Sequence, residues 1–425
     1  MDIISNKILN GLKGEIEIPS DKSISHRAVM FSALAKGETI ISNFSRGADC
    51  HSTLNIINQL GCETEFINEQ TLKIKSKGEL KPPVQNLDCG NSGTTMRLIS
   101  GVLAGQNFNC TLVGDASLQK RPMKRIIEPL GLMGAKIEHN EFKAPLKIQG
   151  TQLNAVDYKS KLSSAQVKSC ILLAGLNADG TTIFTEPFKS RNHTELMLDY
   201  LGADISVNDN SVSIKKSSLT AKNINIAGDI SSAAFFMVAA SITPNSKIII
   251  KNVGLNPTRT GIMDVLNQMG ANIKILDKQN IAGEDVGDVL VEYSELKGIE
   301  ISGEIIPRLI DELPVIAILA TQANGKTTVK DAQDLRNKES DRISCLVKEL
   351  KKLGIEIEET PDGFIIEGKQ KIKGGVQCEC YHDHRLAMSL YVAGLISEKP
   401  IHINEFQWVD ISFPEFLGLI NKLKN

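Results

Sequence analysis

The chain has 425 residues, 41% hydrophobic and 23% charged, with a formal net charge of −2. Its length exceeds what one core organises, so two domains are expected, and its near-neutral charge excludes a global field that recruits nucleic acid or an anionic membrane. No apolar run reaches the ~18–20 residues of a spanning helix. No signal peptide opens the chain at Met1-Asp2-Ile3-Ile4-Ser5, and the cysteines at 50, 62, 89, 110, 170, 345, 378 and 380 sit mostly in apolar or strand-like runs. Reduced, buried thiols in a soluble cytoplasmic protein are the expectation.

Six stretches, roughly seventy residues apart, repeat one pattern: a polar helix start, an apolar helix, and a Gly-containing turn into an alternating strand. After the alternating Glu15-Ile16-Glu17-Ile18, the first start is Asp21-Lys22-Ser23, with Ser20 or Asp21 as cap, and its unit closes at Leu60-Gly61. The second, Gly90-Asn91-Ser92-Gly93-Thr94, closes at Met133-Gly134-Ala135, and the third, Ser163-Ser164-Ala165-Gln166, at Leu201-Gly202-Ala203. The fourth, Asp229-Ile230-Ser231-Ser232, closes at Met269-Gly270-Ala271. The fifth, Asp311-Glu312-Leu313-Pro314, closes at Leu353-Gly354, and the sixth is His382-Asp383-His384-Arg385. Stretches 232–240 and 314–320 are apolar on more than one face, which predicts helices buried between other layers. Six such units predict two α/β domains of three units each, sheets outside and helices within, with linkers near Pro19-Ser20 and Asn225-Ile226-Ala227-Gly228.

The helix starts carry cations where a neutral cap would suffice. Lys22 and Arg27 oppose the helix macrodipole, which favours acids at that end. They are either a solvated face or an anion site in which exposed N–H groups and cations converge on a phosphate. Arg97 follows the Gly-rich turn at 90–94, and Arg121, Arg191, Arg342 and Arg385 recur at comparable points. Arginine forks suit phosphate and carboxylate, so a small polyanion is the expected ligand. Two acids stand inside this basic set. Asp311 is a helix cap or a functional acid, and Glu339 an exposed ion pair or a group that moves a proton; in an anion site a carboxylate repels the ligand unless it transfers protons.

Other motifs do not hold. Gly325-Lys326-Thr327 has Ala320 where a P-loop needs its upstream Gly, which excludes that ATP site. His382-Asp383-His384 and Cys378-Glu379-Cys380 lack partner clusters at zinc spacing, so no metal is expected. No Gly-x-Ser-x-Gly elbow occurs.

Together, Asp21-Lys22-Ser23-Ile24-Ser25-His26-Arg27, the 90–94 turn, Ser164-Ala165-Gln166-Val167-Lys168-Ser169, Ile310-Asp311-Glu312, Lys338-Glu339-Ser340-Asp341-Arg342 and Asp383-His384-Arg385 resemble the 5-enolpyruvylshikimate-3-phosphate synthase family, bacterial form, over essentially the whole length. The resemblance implies an enolpyruvyl transferase fold: two domains of three βαβαββ repeats, residues 20–226 in one and 1–19 with 227–425 in the other. The first would be the shikimate 3-phosphate side, the second the phosphoenolpyruvate and catalytic side, with the active site in the cleft between them. It further implies transfer of the enolpyruvyl group of phosphoenolpyruvate to the 5-hydroxyl of shikimate 3-phosphate by a monomer without cofactor, metal, nucleic acid or membrane, and inhibition by glyphosate. Lys22, Ser23, Arg27, Ser164, Ala165, Gln166, Arg191, Asp311 and Lys338 would hold shikimate 3-phosphate. Lys22, Gly93, Arg121, Gln166, Arg342 and Arg385 would hold phosphoenolpyruvate, with Asn91, Thr94 and Arg97 shaping its site. Asp311 would be the base at the hydroxyl, and Glu339 or Lys22 would protonate the methylene. One position departs: many family members place Lys where Asp410-Ile411-Ser412-Phe413-Pro414 has Ile411.

Two rivals fall on residues. The sister transferase for UDP-N-acetylglucosamine carries a reactive Cys before an Arg-Pro pair, and the stretch from Gly114 to Arg121-Pro122 has none. A non-catalytic repeat scaffold gains nothing from arginines and two acids at helix starts.

Overall fold

The structure, a computed structural model, describes residues 1–281 and 283–424. It divides into two compact units, one built on Ser20–Ile226 and the other on Met1–Pro19, Ala227–Asn280 and the chain from Glu284 on.

The 20–226 unit contains helices α1 (Lys22–Leu34), α2 (Ala48–Gln59), α3 (Gly93–Ala104), α4 (Lys124–Leu132), α5 (Ala165–Gly175) and α6 (His193–Tyr200). Its middle repeat shows the plan: strand Leu87–Asp88, α3, strand Cys110–Val113, α4, then the hairpin strands Lys136–Asn140 and Lys143–Gln149. Leu87–Asp88 runs parallel to Cys110–Val113, and the remaining pairs are antiparallel. Asp157–Lys159, α5, Thr181–Thr185, α6, Ile205–Asn208 and Ser211–Lys215 repeat it. The first repeat takes its leading strand from the far end of the unit, since Leu219–Thr220 and Ile224–Asn225 pair in parallel with Ala35–Ser42. α3 and α5 approach so closely that a Cβ on Gly101 would lie 2.1 Å from the Cys170 carbonyl oxygen, a spacing only glycine allows.

The other unit follows the same plan with α7 (Ile230–Ile242), α8 (Gly261–Gln268), α9 (Ile306–Leu309), α10 (Leu313–Gln322), α11 (Arg342–Lys352), α12 (His384–Gly394) and α13 (Phe416–Lys424). Lys13–Glu17, from the chain start, leads its first repeat in parallel with Lys247–Gly254. Ile3–Ser5 pairs antiparallel with Ile401–Ile403 and completes the sheet of the last repeat, which has no hairpin of its own among the described residues. α7 is buried at every residue except Ser232, as its all-round apolar sequence predicts. The α/β fold of three repeats per unit, buried helices under outer sheets, is the one expected.

One correction concerns the repeat itself. The polar start and the closing glycine belong to two different helices, separated by a strand. Gly61, Gly134, Gly202, Gly270 and Gly354 end α2, α4, α6, α8 and α11, not α1, α3, α5, α7 and α10. All five have φ between 84° and 95°, the left-handed turn that lets each helix reverse into its hairpin.

Candidate active site

In the 20–226 unit, Asp21 is the cap of α1, its Oδ1 accepting from Ile24 N at 2.8 Å. That cap places Lys22, Ser23 and Arg27 on the first turns. Lys22 Nζ lies 3.2 Å from Asp49 Oδ2, both side chains only partly exposed. Arg27, buried, donates from Nε to Thr194 Oγ1 and from Nη2 to Ser169 Oγ, both at 2.8 Å, and from Nη1 to the Ser23 carbonyl at 2.9 Å. These three acceptors orient the guanidinium.

At α3, Ser92 caps Thr95 N, and the preceding turn presents Asn91 to Arg121, whose Nη2 donates to Asn91 Oδ1 at 2.8 Å. Arg97 donates from Nη1 to Gln166 Oε1 at 2.7 Å, and Gln166 Nε2 donates to Thr94 Oγ1 at 3.0 Å. A Cβ on Gly93 would stand 2.9 Å from Arg97 Nη1 and 3.3 Å from Arg121 Nη1, so this glycine lies where two guanidinium groups converge. The start of α5 joins this group through Gln166. Ser164, its N-cap, makes no side-chain cap bond, so its hydroxyl does not satisfy the first N–H groups of α5, which have no partner within the helix. Arg191 stands half-buried just before Asn192, the N-cap of α6.

In the other unit a second cluster forms around Arg342, the first residue of α11. Its Nε donates to Asp383 Oδ2 at 2.7 Å and its Nη1 to Asp311 Oδ1 at 3.3 Å, and Nη2 donates to Glu339. Lys338 Nζ lies 3.6 Å from Asp311 Oδ1, and Arg385 Nη1 donates to the Asp311 carbonyl at 3.2 Å. Burial alone would disfavour the Arg342 charge, but Asp383, Glu339 and Asp311 more than offset it and hold the guanidinium above its ordinary value. The cluster thus gathers every candidate named in this unit: Asp311, Lys338, Glu339, Arg342 and Arg385.

The structure bears on the plainer reading of each acid. Asp311 is not a cap, because α10 starts from Glu312 and the Asp311 carboxylate faces Lys338 and Arg342 instead. Glu339 pairs with an Arg342 side chain that is 1% exposed, so it is not an ordinary surface ion pair. Sequence reading missed the partners that aim the cations: Asp49, Ser169, Thr194 and, above all, Asp383. Asp383 was visible only as part of a motif. It caps α12 by accepting from Arg385 N at 2.9 Å while it holds Arg342.

The cysteines are all free, and only Cys345 is not buried. Burial pushes their thiols up, Cys50 and Cys378 to about 12 and Cys110, Cys345 and Cys380 to about 11. Among the described residues, no three His, Cys, Asp or Glu side chains gather as a metal would need, and no helix is long and apolar enough to cross a membrane.

Residues 7–420 match the family model of EPSP synthase (3-phosphoshikimate 1-carboxyvinyltransferase). The chain belongs to the EPSP synthase family. A 3-phosphoshikimate 1-carboxyvinyltransferase of Petrotoga mobilis is 52% identical over 422 residues, spanning 97% of this chain and 98% of that one. One of Bacillus subtilis is 52% identical over 418 residues, spanning 97% of each. Among solved structures, the EPSP synthase of Acinetobacter baumannii superposes with a TM-score of 0.88 at 42% identity, over 99% of this chain and 98% of that one. An enolpyruvyl transferase of Streptomyces tendae shares the fold at 16% identity, with a TM-score of 0.81 over 99% of this chain and 97% of that one. EPSP synthases therefore supply the reaction against which both residue clusters are read.

Proposed function

We propose that this chain transfers the enolpyruvyl group of phosphoenolpyruvate to the 5-hydroxyl of shikimate 3-phosphate and releases phosphate. The observation that carries this reading is the placement of Asp311 and Glu339, two acids, inside the cationic set Lys338, Arg342 and Arg385. Acids so placed work against anion binding unless they move protons.

In this scheme the 5-hydroxyl oxygen attacks C2 of phosphoenolpyruvate while Asp311 takes its proton. Glu339 or Lys22 gives a proton to C3, so that a tetrahedral intermediate forms with both C–O bonds intact at C2. The return of a C3 proton to the protein then breaks the bond to phosphate and restores the double bond. The cations that bind the leaving phosphate are in place before it develops charge, which is where electrostatic stabilisation is most effective. Lys22, Ser23, Arg27, Ser164, Ala165, Gln166 and Arg191 of the 20–226 unit, with Asp311 and Lys338, hold shikimate 3-phosphate. Lys22, Asn91, Gly93, Thr94, Arg97, Arg121 and Gln166, with Arg342 and Arg385, hold phosphoenolpyruvate.

No cofactor enters the scheme, and one chain supplies every residue, so a cytoplasmic monomer suffices. The reading is tested by following phosphate release with both substrates, with each omitted, and with UDP-N-acetylglucosamine in place of shikimate 3-phosphate. Release only with the first pair supports it; release with the sugar nucleotide overturns it.

A further inference from the structure

The Ser164–Ser169 motif contains one residue that the scheme does not use. Lys168 projects from α5 with 1% of its side chain exposed, yet it carries an ammonium group. Its Nζ lies 2.8 Å from Glu186 Oε1 and 2.8 Å from Glu195 Oε1, two carboxylates that are themselves 2% and 3% exposed. It also donates to the Ser190 carbonyl at 3.2 Å. Glu186 Oε1 in turn accepts from Ser190 N at 2.8 Å and from Ser190 Oγ at 2.9 Å. The chain from Glu186 to Glu195 is therefore wrapped around one buried cation. Arg191 follows Ser190 directly inside that wrap.

The same residues reach Arg27 by their neighbours. Ser169, next to Lys168 on α5, donates its only hydroxyl hydrogen to the Ala165 carbonyl at 2.6 Å and accepts from Arg27. It must therefore accept the 2.6 Å bond from Thr194, which precedes Glu195 on α6 and accepts from Arg27 Nε. Lys168 and Glu195 thus pin α5 to α6 one residue away from the two hydroxyls that aim Arg27. Stability does not explain such a group, because replacing a buried ion pair with apolar residues is often neutral or better.

We propose that Lys168 is a positioning residue for the two arginines, Arg27 and Arg191, among the residues that hold shikimate 3-phosphate. This rests on the function proposed above. Lys168 does not touch the substrate; it fixes the Glu186–Glu195 segment through Ser190 and Glu195, and the arginines follow.

The test is steady-state kinetics on Lys168→Met, Lys168→Arg and Glu186→Gln beside the wild type, with each substrate varied in turn. Lys168→Met should raise KM for shikimate 3-phosphate at least about tenfold, while KM for phosphoenolpyruvate at saturating shikimate 3-phosphate stays within about twofold. Lys168→Arg, which keeps the charge, should recover most of the loss. Glu186→Gln keeps shape and should show a smaller rise in the same constant, and it decides the matter if Lys168→Met does not fold. A purely structural role would lower the melting temperature and scale both constants or neither; that result, or an unchanged KM for shikimate 3-phosphate, overturns the proposal. A wild type inactive with both substrates would instead overturn the function on which it rests.

Discussion

Arg342 donates from Nε to Asp383 at 2.7 Å with 1% of the arginine side chain and none of the aspartate side chain exposed. The pair joins the start of α11 to the start of α12, and Asp383 also caps α12. Removing Asp383 takes away the one fully buried carboxylate on Arg342 and leaves it only Asp311 and Glu339, which are 15% and 24% exposed. Asp383→Ala should therefore cost about 3–5 kcal/mol of stability, read from denaturant unfolding. A cost under ~1 kcal/mol, the range of exposed pairs, would show that the Arg342 charge is satisfied elsewhere.

Asp311→Asn and Glu339→Gln should each reduce kcat by about 10²–10⁴-fold with much smaller changes in either KM, because each removes a proton-transfer group while keeping shape. Full kinetics on both variants checks this. Near-normal turnover in either one removes that residue from the chemistry.

Gly93→Ala should displace Arg97, because the new methyl would lie 2.9 Å from its Nη1, the atom that donates to Gln166. KM for phosphoenolpyruvate should rise more than KM for shikimate 3-phosphate. Glyphosate, the longer occupant of that site in the family this chain resembles, should lose more affinity than phosphoenolpyruvate. Inhibition curves for wild type and variant at fixed phosphoenolpyruvate decide it, and overlapping curves would take Gly93 out of the site.

The cations at the helix starts were more legible than the repeat. Cations at helix starts are visible because they break a local rule, placing charge where the macrodipole disfavours it, and Lys22, Arg27, Arg97 and Arg342 all stand at such points. Their partners leave no local signal: Ser169 and Thr194 lie 142 and 167 residues from Arg27. The repeat misled because the strand between its two helices went unread, the eight-residue Ala35–Ser42 and Lys247–Gly254 included. Cys110–Val113 and Lys326–Val329 have four residues each, too few for alternation to stand out, so two helices read as one. The terminal strand Ile3–Ser5 shows the same limit, since its place in the last sheet depends on Ile401–Ile403 at the other end of the chain.

His26 gives a pH signature. It is fully buried with Nδ1 2.7 Å from Thr53 Oγ1, and burial, then the charges of Lys22 and Arg27, push its imidazole down to about 3. A folded-state value below the unfolded one, ~6.5, means that the unfolded chain binds the extra proton between those values. The stability this histidine contributes is complete above pH ~6.5 and is lost as pH falls toward 3. As pH falls from ~6.5 to 4, the unfolding free energy should drop more steeply for the wild type than for His26→Gln, by up to about 1.4 kcal/mol per pH unit. Parallel curves would mean that His26 titrates alike in the folded and unfolded chain.

Iodoacetamide at neutral pH should leave turnover intact, since burial holds the cysteine thiols protonated and unreactive. Rapid inactivation, prevented by phosphoenolpyruvate, would indicate a site thiol and favour the cysteine-dependent sister reaction.

Phosphorus NMR of the reaction with both substrates tests the central claim most directly, because it follows each phosphate separately. The signal of phosphoenolpyruvate should disappear as inorganic phosphate grows in equal amount, while the sugar-acid 3-phosphate stays esterified in a new product. Loss of the 3-phosphate, or inorganic phosphate formed from phosphoenolpyruvate alone, would contradict enolpyruvyl transfer by this chain.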